Sequence, residues 1–363
     1  MAVKGEYLPE EMIFSCIYGG GVYQPTGQVV QDPLGGDNGH GLFSPLLRSV
    51  ITGEEYFVKL VECTPLLRES YRERVLRSPA RRHILWPADM VDLEERDIGC
   101  RLFVAQEYTD TPVEPEGRGG NVGLLFPYGG YPPMVSGERK LSQIQGFSWK
   151  NPEIRKMACQ LLVGLEDVNR CGYVYGDMHL SRIFFLEDDS VYFNFSGLVL
   201  AFSDLFSKNV ESLCAVEGAE YPLEFADPVV ARGLRKTLDF QSQNYSLAAL
   251  LFYLLLGQYP YDGRLLTGYV DDSPQHHYIK FRDYLKMPVF IFDPEDRQNA
   301  LGAFAEEETV IRLWEELHPV LRQAFISTLR KENAERALVR DNPTPSMWLA
   351  YFRAAGWEEA MEV

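Results

Sequence analysis

The stretch GYVYGDMHLSRIFFLEDDSVYFNFSGLVL, residues 172–200, is the part of the sequence that indicates the fold most specifically. It opens with a short run of aromatic and β-branched residues that ends just before Asp177, and two further apolar runs flank an acidic turn at 187–189. Short apolar runs separated by turn residues are typical of paired strands. The stretch therefore predicts a loop that carries an aspartate, then a hairpin, then a second loop that begins at Asn194.

The sequence differs in character on the two sides of this stretch. Up to about residue 130 it contains strand-like runs such as EEYFVKLV and CRLFVAQEY, broken by glycine-rich turns and by one predicted helix near residues 65–77. After the Pro- and Gly-rich stretch PYGGYPPMVSGER, periodic apolar patterns predict helices over 151–171, 243–256, 307–331 and 343–355. An α+β fold is expected, with a small β-rich lobe that has one main helix, followed by a larger helical lobe.

Three features of the first lobe have the spacing of a phosphate-binding site. Gly39 and Gly41 open a GHGLFS turn that would let backbone N–H groups approach phosphates, with a plain hairpin turn as the alternative. Lys59 follows an apolar strand-like run, where a cation would be costly without a partner. Glu73 on the predicted helix is the natural partner and would orient Lys59 toward phosphates. The alternative is that either side chain faces solvent.

The 172–200 stretch resembles the protein kinase family. The chain is similar to a degenerate member of that family, a bacterial-type pseudokinase. Asp177 stands at the aspartate of the kinase HRD motif, Arg182 stands where kinases have Asn, and Asn194 opens an NFS sequence in place of DFG. The resemblance spans roughly residues 36–355 and implies a bilobal protein-kinase-like fold. It implies an N-terminal extension of unclear role at 1–35, an N-lobe at 36–128 and a C-lobe at 129–363.

The likeness continues into the second lobe, with further departures. The sequence FADPV reads like the end of an activation segment, with Val229 in place of the Glu of APE, and Gln243 replaces an Asp of the buried helix that follows. Asn342 opens an NPT turn where kinases have RPT. In kinases that Arg pairs with the APE Glu, and losing one partner alone would leave a buried charge uncompensated. The loss of both favours the alignment.

The substitutions bear on metal and phosphate chemistry. Kinases hold two magnesium ions through the DFG Asp and the catalytic-loop Asn. Asn194 is a neutral ligand where magnesium prefers a carboxylate, and Arg182 brings a positive charge that could contact phosphate directly or pair with neighbouring acids. Asp177 keeps the catalytic-base position, with capping of backbone N–H groups as its alternative use. The resemblance implies ATP or ADP as the ligand, whereas the lost ligands argue against magnesium.

The strand that joins the two lobes is expected at 124–128, where backbone groups around Phe126 and Tyr128 could hold an adenine-like ring. The alternative is that apolar side chains fill that slot. The residues expected at the nucleotide site are Gly39, Gly41, Lys59, Glu73, Phe126, Tyr128 and Arg182.

Composition argues against several classes of protein. A net charge of -17 is opposed to nucleic-acid binding, because neutralising phosphates requires a surplus of Lys and Arg. The six cysteines form no CxxC pair, so neither a disulfide framework nor a zinc site is expected and the thiols are taken as reduced. No apolar run of about 18 residues occurs, so we expect no membrane span and a cytoplasmic location.

The leading interpretation is a pseudokinase that acts as a binding or regulatory scaffold in a signalling assembly, with little or no protein phosphotransferase activity. A protein partner is expected, with another kinase or a phosphatase as candidates, and residues 263–306 are where specific contacts are expected. The alternative is an atypical nucleotide-dependent transferase that uses Asp177 and Arg182 without the usual two magnesium ligands. A third interpretation is a small-molecule kinase-like enzyme, because Gly176 before Asp177 occurs in such relatives.

Overall fold

The chain combines an antiparallel β-sheet with six helices among the residues described by the computed structural model, so its mixed α and β character is confirmed. It divides into two compact units, Met1–Glu138 with Leu186–Asp188, and Arg139–Phe185 with Asp189–Val363. The structure describes residues 3–4, 14–15, 21–31, 43–61, 71–72, 75–76, 86–92, 122–128, 139–140, 146–176, 178–180, 183–185, 191–193, 198–200, 224–232, 234, 238–266, 285–286, 288–302, 305, 307–330 and 341–361.

The first unit is built on an antiparallel sheet. Its strands are β1 (Val3–Lys4), β2 (Phe14–Ser15), β3 (Val22–Gln31), β4 (Phe43–Ser49), β5 (Glu55–Val61), β6 (Asp89–Asp92) and β7 (Val122–Pro127). They lie in the order β1-β3-β4-β5-β7-β6, and β2 also pairs with β3. The segment between β5 and β6 is helical at 71–72 and 75–76, where a helix was predicted. β6, which comes before β7 in the chain, therefore lies at the edge of the sheet, and β7 lies between β5 and β6.

The apolar run in β5 is explained by burial on both faces of the sheet. Tyr56 and Val58 join a buried cluster with Leu125 on one face. Phe57, between them, lies opposite Phe126 on the other face and is fully buried. Side chains alternate between the faces of a strand, and a strand covered on both faces reads as a continuous apolar run.

Part of the predicted N-terminal extension belongs to this sheet. β3 lies within residues 1–35, yet it pairs with β4 at both of its ends, with a register shift between Pro25 and Val29. Gly27 lies in that shift with a φ of 69°, a conformation that suits glycine. Because Pro and Gly inside a run weaken a strand pattern, this strand was not evident in the sequence. Residues 22–31 are a strand of the main sheet.

The second unit is mostly helical. Its helices are α1 (Pro152–Arg170), α2 (Pro228–Ala231), α3 (Phe240–Leu256), α4 (Glu307–Glu316), α5 (Pro319–Leu329) and α6 (Pro345–Ala354), with 3-10 turns at Arg264–Leu266 and Glu358–Met361. Its short strands are β8 (Arg139–Lys140), β9 (Tyr173–Tyr175), β10 (Ile183–Phe185), β11 (Val191–Phe193) and β12 (Leu198–Leu200). β10 pairs with both β11 and β8, and β12 pairs with β9.

Helix α3 lies in the core of this unit. Its residues 247–256 are all apolar, and most of the 17 residues of the helix are buried, as expected of a central helix. Asp239 and Ser242 form a capping box at its start, and Gly257 ends it in the left-handed conformation. Across the described part of the chain, no helix combines the length and the apolar character needed to cross a membrane.

One predicted helix is two helices. The pattern over 307–331 predicts a continuous segment, but α4 ends at Glu316 and α5 begins at Pro319. Proline cannot donate a backbone hydrogen bond within a helix, and it disfavours the helical conformation of the residue before it. His318 takes the cap position instead, where its Nδ1 accepts a hydrogen bond from the Val320 N–H at 3.3 Å.

Candidate functional site

The predicted site residues are only partly described. Gly39, Gly41, Glu73, Asp177, Arg182 and Asn194 lie outside the described residues. Lys59 is described for its backbone, whereas Phe126 and Tyr128 are described in full. The site is therefore built from the strands, loops and anchors that adjoin these positions.

The hairpin predicted in the 172–200 stretch is present. Ile183 of β10 lies opposite Phe193 of β11, and the two strands pair in antiparallel fashion. In the sequence, Arg182 directly precedes this pair and Asn194 directly follows it. The three residues that the kinase resemblance singles out therefore occur at the ends of regular strands, because Asp177 also follows β9 closely.

The end of β9 is anchored by a buried side chain of α3. The Tyr175 N–H donates a hydrogen bond to Gln243 Oε1 at 2.7 Å, across 68 residues of sequence. Gln243 is 3% exposed, so water cannot replace this bond. A buried donor left without its partner costs about 1–3 kcal/mol. The bond fixes where the chain leaves β9 for the Asp177 loop.

Gln243 occupies the position where the kinase resemblance leads us to expect an Asp, and the change alters the bonding. Its Oε1 accepts a hydrogen bond as a carboxylate oxygen would. Its Nε2 is buried and makes no hydrogen bond with any residue that the structure describes. An ionised carboxylate would present two acceptors and a charge, whereas an amide presents one acceptor and a donor. Gln243 therefore anchors the end of β9 without a charge.

A second contact joins the residues just after Asp177 to the segment that precedes α2. His179 Nε2 lies 3.4 Å from Glu224 Oε2, and the two side chains are 30% and 19% exposed. Behind Glu224, the rings of Tyr253 and Tyr259 lie 4.5 Å apart between centroids. Burial, reinforced by the Glu224 charge, raises the pKa of Tyr259, so its hydroxyl stays protonated. No sequence signal pointed to this pair, because its members are neighbours only in the folded chain.

Val229 and Asn342, which the kinase resemblance aligns with a Glu–Arg pair, are neutral. Val229 is 1% exposed, and its N–H donates to Asp227 Oδ1 at 2.9 Å in the cap of α2. Asn342 is also 1% exposed. Its N–H and Nδ2 donate to Gln241 Oε1 and Gln241 O, at 2.9 and 2.8 Å. Asn342 thus links the segment before α6 to the start of α3 without a charge.

In the first unit, Lys59 lies in β5 opposite Leu124 of β7. By the two-residue period of a strand, position 59 falls on the same face as position 57. We call this the apolar sheet face, and its described members are each at most 1% exposed: Leu46, Phe57, Met90, Val122, Leu124 and Phe126. The face is thus packed with apolar side chains on both sides of β5.

Two aromatic rings stack on the apolar sheet face at the end of β7. The ring centroids of Phe57 and Phe126 are 5.1 Å apart, with 13° between the ring planes, and both residues are fully buried. The Tyr128 N–H donates to Glu55 O at 2.8 Å and so continues the pairing of β7 with β5. The Phe126 ring and the Tyr128 N–H are thus engaged within the sheet, at the strand whose backbone groups were expected to hold an adenine-like ring.

A nucleotide with two magnesium ions, as protein kinases hold it, does not fit the residues that the resemblance aligns with the kinase site. The stacked rings fill the sheet face beside position 59. An Asn and an Arg, at 194 and 182, replace an Asp and an Asn in the donor set, and a hard cation prefers carboxylates. We therefore assign no reaction step to this group.

Comparison with known proteins assigns no family. No protein-family model matches the chain, and no curated protein matches it in sequence.

Proposed function

We propose that the chain is a pseudokinase with a bilobal protein-kinase-like fold that acts as a binding or regulatory scaffold, with little or no phosphotransfer. One observation carries the proposal: buried Gln243 holds the N–H of Tyr175, two residues before Asp177. A loop anchor at this position agrees with the kinase alignment, while the residues that hold metal in kinases have been replaced.

The arrangement of the first unit supports the kinase-like part of the proposal. Gly39 and Gly41 stand between β3 and β4, which pair with each other, and Lys59 lies in β5, the next strand. Kinases likewise place a glycine-rich loop ahead of the strand that carries the lysine, and a helix with its glutamate partner after it. The helical residues 71–72 and 75–76 flank Glu73 in the sequence.

The loss of charge supports the non-catalytic part. Phosphoryl transfer depends on metal ions and positioned charges that offset the charge building on the phosphoryl group. In this chain Gln243, Val229 and Asn342 are neutral at positions where the family has charged residues, and all three are buried. Lys59, Glu73 and Asp177 remain in the sequence, but the loss of charge at the three buried positions supports a scaffold rather than a catalyst.

A protein is the proposed partner, with another kinase or a phosphatase as candidates. Part of the 263–306 region, where contacts were expected, is taken up by internal packing. Buried Asn299 donates to Tyr261 O and Val289 O, both at 2.8 Å, and accepts from the Leu265 N–H at 2.9 Å. In the described part of this region, the turn at 294–298 remains largely exposed and is the surface that we propose for partner contact.

A phosphotransfer assay with mass-spectrometric detection tests the proposal. We expect the purified chain to show no magnesium-dependent phosphorylation of itself or of a general protein substrate. Robust transfer that is abolished by Asp177→Ala would contradict the scaffold function. Transfer of a different nucleotide-derived group, lost in both Asp177→Ala and Lys59→Ala, would establish the alternative transferase instead.

A further inference from the structure

The feature that goes beyond a loss of catalysis is the pair of stacked rings on the apolar sheet face. Phe57 stands two residues before Lys59 in the sequence. The kinase strand that carries the lysine reads V-A-I-K, so the family has an alanine at the position of Phe57. A strand advances about 3.4 Å per residue, which puts position 57 about 7 Å from position 59 on the same face.

The direction along the strand matters as much as the distance. Lys59 pairs with Leu124, whereas Phe57 pairs with Phe126, which is closer to the end of β7. Position 57 therefore lies between position 59 and the end of β7. A nucleotide with its phosphates near Lys59 and its base near residues 126–128 would lie along this part of the sheet face. A methyl group leaves room there for a flat ring, whereas the Phe57 ring takes that room.

The ring pair is packed against residues of neighbouring strands. Phe57 also lies opposite Leu46 on β4, so neighbours on two strands hold it in place. Its stack on Phe126, with 5.1 Å between centroids and 13° between planes, resembles the contact that an aromatic side chain would make with a base. Phe126 is therefore already covered by a ring of the same chain.

We propose that the Phe57–Phe126 pair occupies the place of the nucleotide base, so that the natural protein takes neither ATP nor ADP at this site. The inference rests on the proposed kinase-like function. It adds that partner binding by the scaffold is independent of nucleotide. Replacing the Phe57 ring by the methyl group of an alanine would open the space that kinases have for the base.

The test compares the thermal unfolding of the full chain with that of its Phe57→Ala variant. Each protein is measured with ADP and without ADP, and magnesium is absent throughout. A ligand that binds only the native state raises the melting temperature. We expect no rise for the natural chain and a rise for Phe57→Ala in ADP. Val58→Ala is the matched control, since Val58 is the next residue, is also buried and lies on the opposite face. It should lower the melting temperature without creating a response to ADP.

Phe57→Val and Phe126→Ala serve as second variants if Phe57→Ala does not fold, as judged by circular dichroism. Folded ring variants that show no ADP response would overturn the inference. So would a natural chain that ADP stabilises through Lys59, as shown by loss of the effect in Lys59→Ala. Either result leaves the scaffold function standing, because that function falls only if transfer of a phosphoryl group or of another nucleotide-derived group is observed.

Discussion

At the residue scale, the central interaction is the hydrogen bond between Gln243 and Tyr175. It is short and buried, and it joins α3 to the strand that precedes the Asp177 loop. A glutamine can reproduce one of the acceptor contacts that a carboxylate would make, but not its charge. Gln243 therefore holds the end of β9 in place without a charge.

Replacing Gln243 by alanine should destabilise the protein. The variant leaves the buried Tyr175 N–H without an acceptor, and we expect the free energy of unfolding to fall by about 1–3 kcal/mol from this loss alone. Chemical denaturation measures the change.

Gln323→Ala is the control for Gln243→Ala, because Gln323 is also helical but exposed on α5. We expect it to change the free energy of unfolding by no more than about 0.5 kcal/mol. Equal effects of the two substitutions would mean that the Gln243 bond does not stabilise the fold.

At the scale of elements, the end of α3 depends on a glycine. Gly257 has a φ of 71°, and a Cβ at this position would lie 3.1 Å from the carbonyl oxygen of Phe147. Gly146 has a nearly identical φ of 72°, but a Cβ there would meet nothing within 4 Å. The two glycines thus separate backbone strain from steric contact.

Gly257→Ala should therefore destabilise more than Gly146→Ala. The strain of a left-handed alanine costs about 1–2 kcal/mol in either variant. The approach to the Phe147 carbonyl adds to the loss only in Gly257→Ala. Chemical denaturation of both variants gives the comparison, and a larger loss for Gly146→Ala would contradict the packing described at the end of α3.

The sequence predicted elements well where the signal is local. The hairpin around residues 187–189 and helix α1 follow from short-range patterns of apolar and turn residues. β3 was missed because Pro25 and Gly27 interrupt it, and only pairing with β4 reveals a bulged strand. Pro319 indicates in the sequence that α4 and α5 are separate helices, because proline disfavours a helical conformation of the residue before it. The periodic apolar pattern continues across Pro319, and for that reason a single helix was predicted.

At the scale of the whole molecule, contacts between distant residues were out of reach of the sequence. The stack of Phe57 on Phe126 depends on the register of β5 with β7, which a single sequence does not specify. The contact of His179 with Glu224 likewise exists only after folding. Asp177, Arg182 and Asn194 lie outside the described residues, so their roles stay predictions.

The central claim, that the kinase-like chain has lost metal-dependent nucleotide chemistry, is tested most directly by thermal unfolding of the natural protein with ATP, with and without magnesium. We expect the same melting temperature in all conditions, because in the proposed site the Phe57–Phe126 pair lies where the base would bind and Asn194 stands where a kinase would have the DFG Asp. A rise in melting temperature that requires both ATP and magnesium, and that disappears in Asn194→Ala, would contradict it.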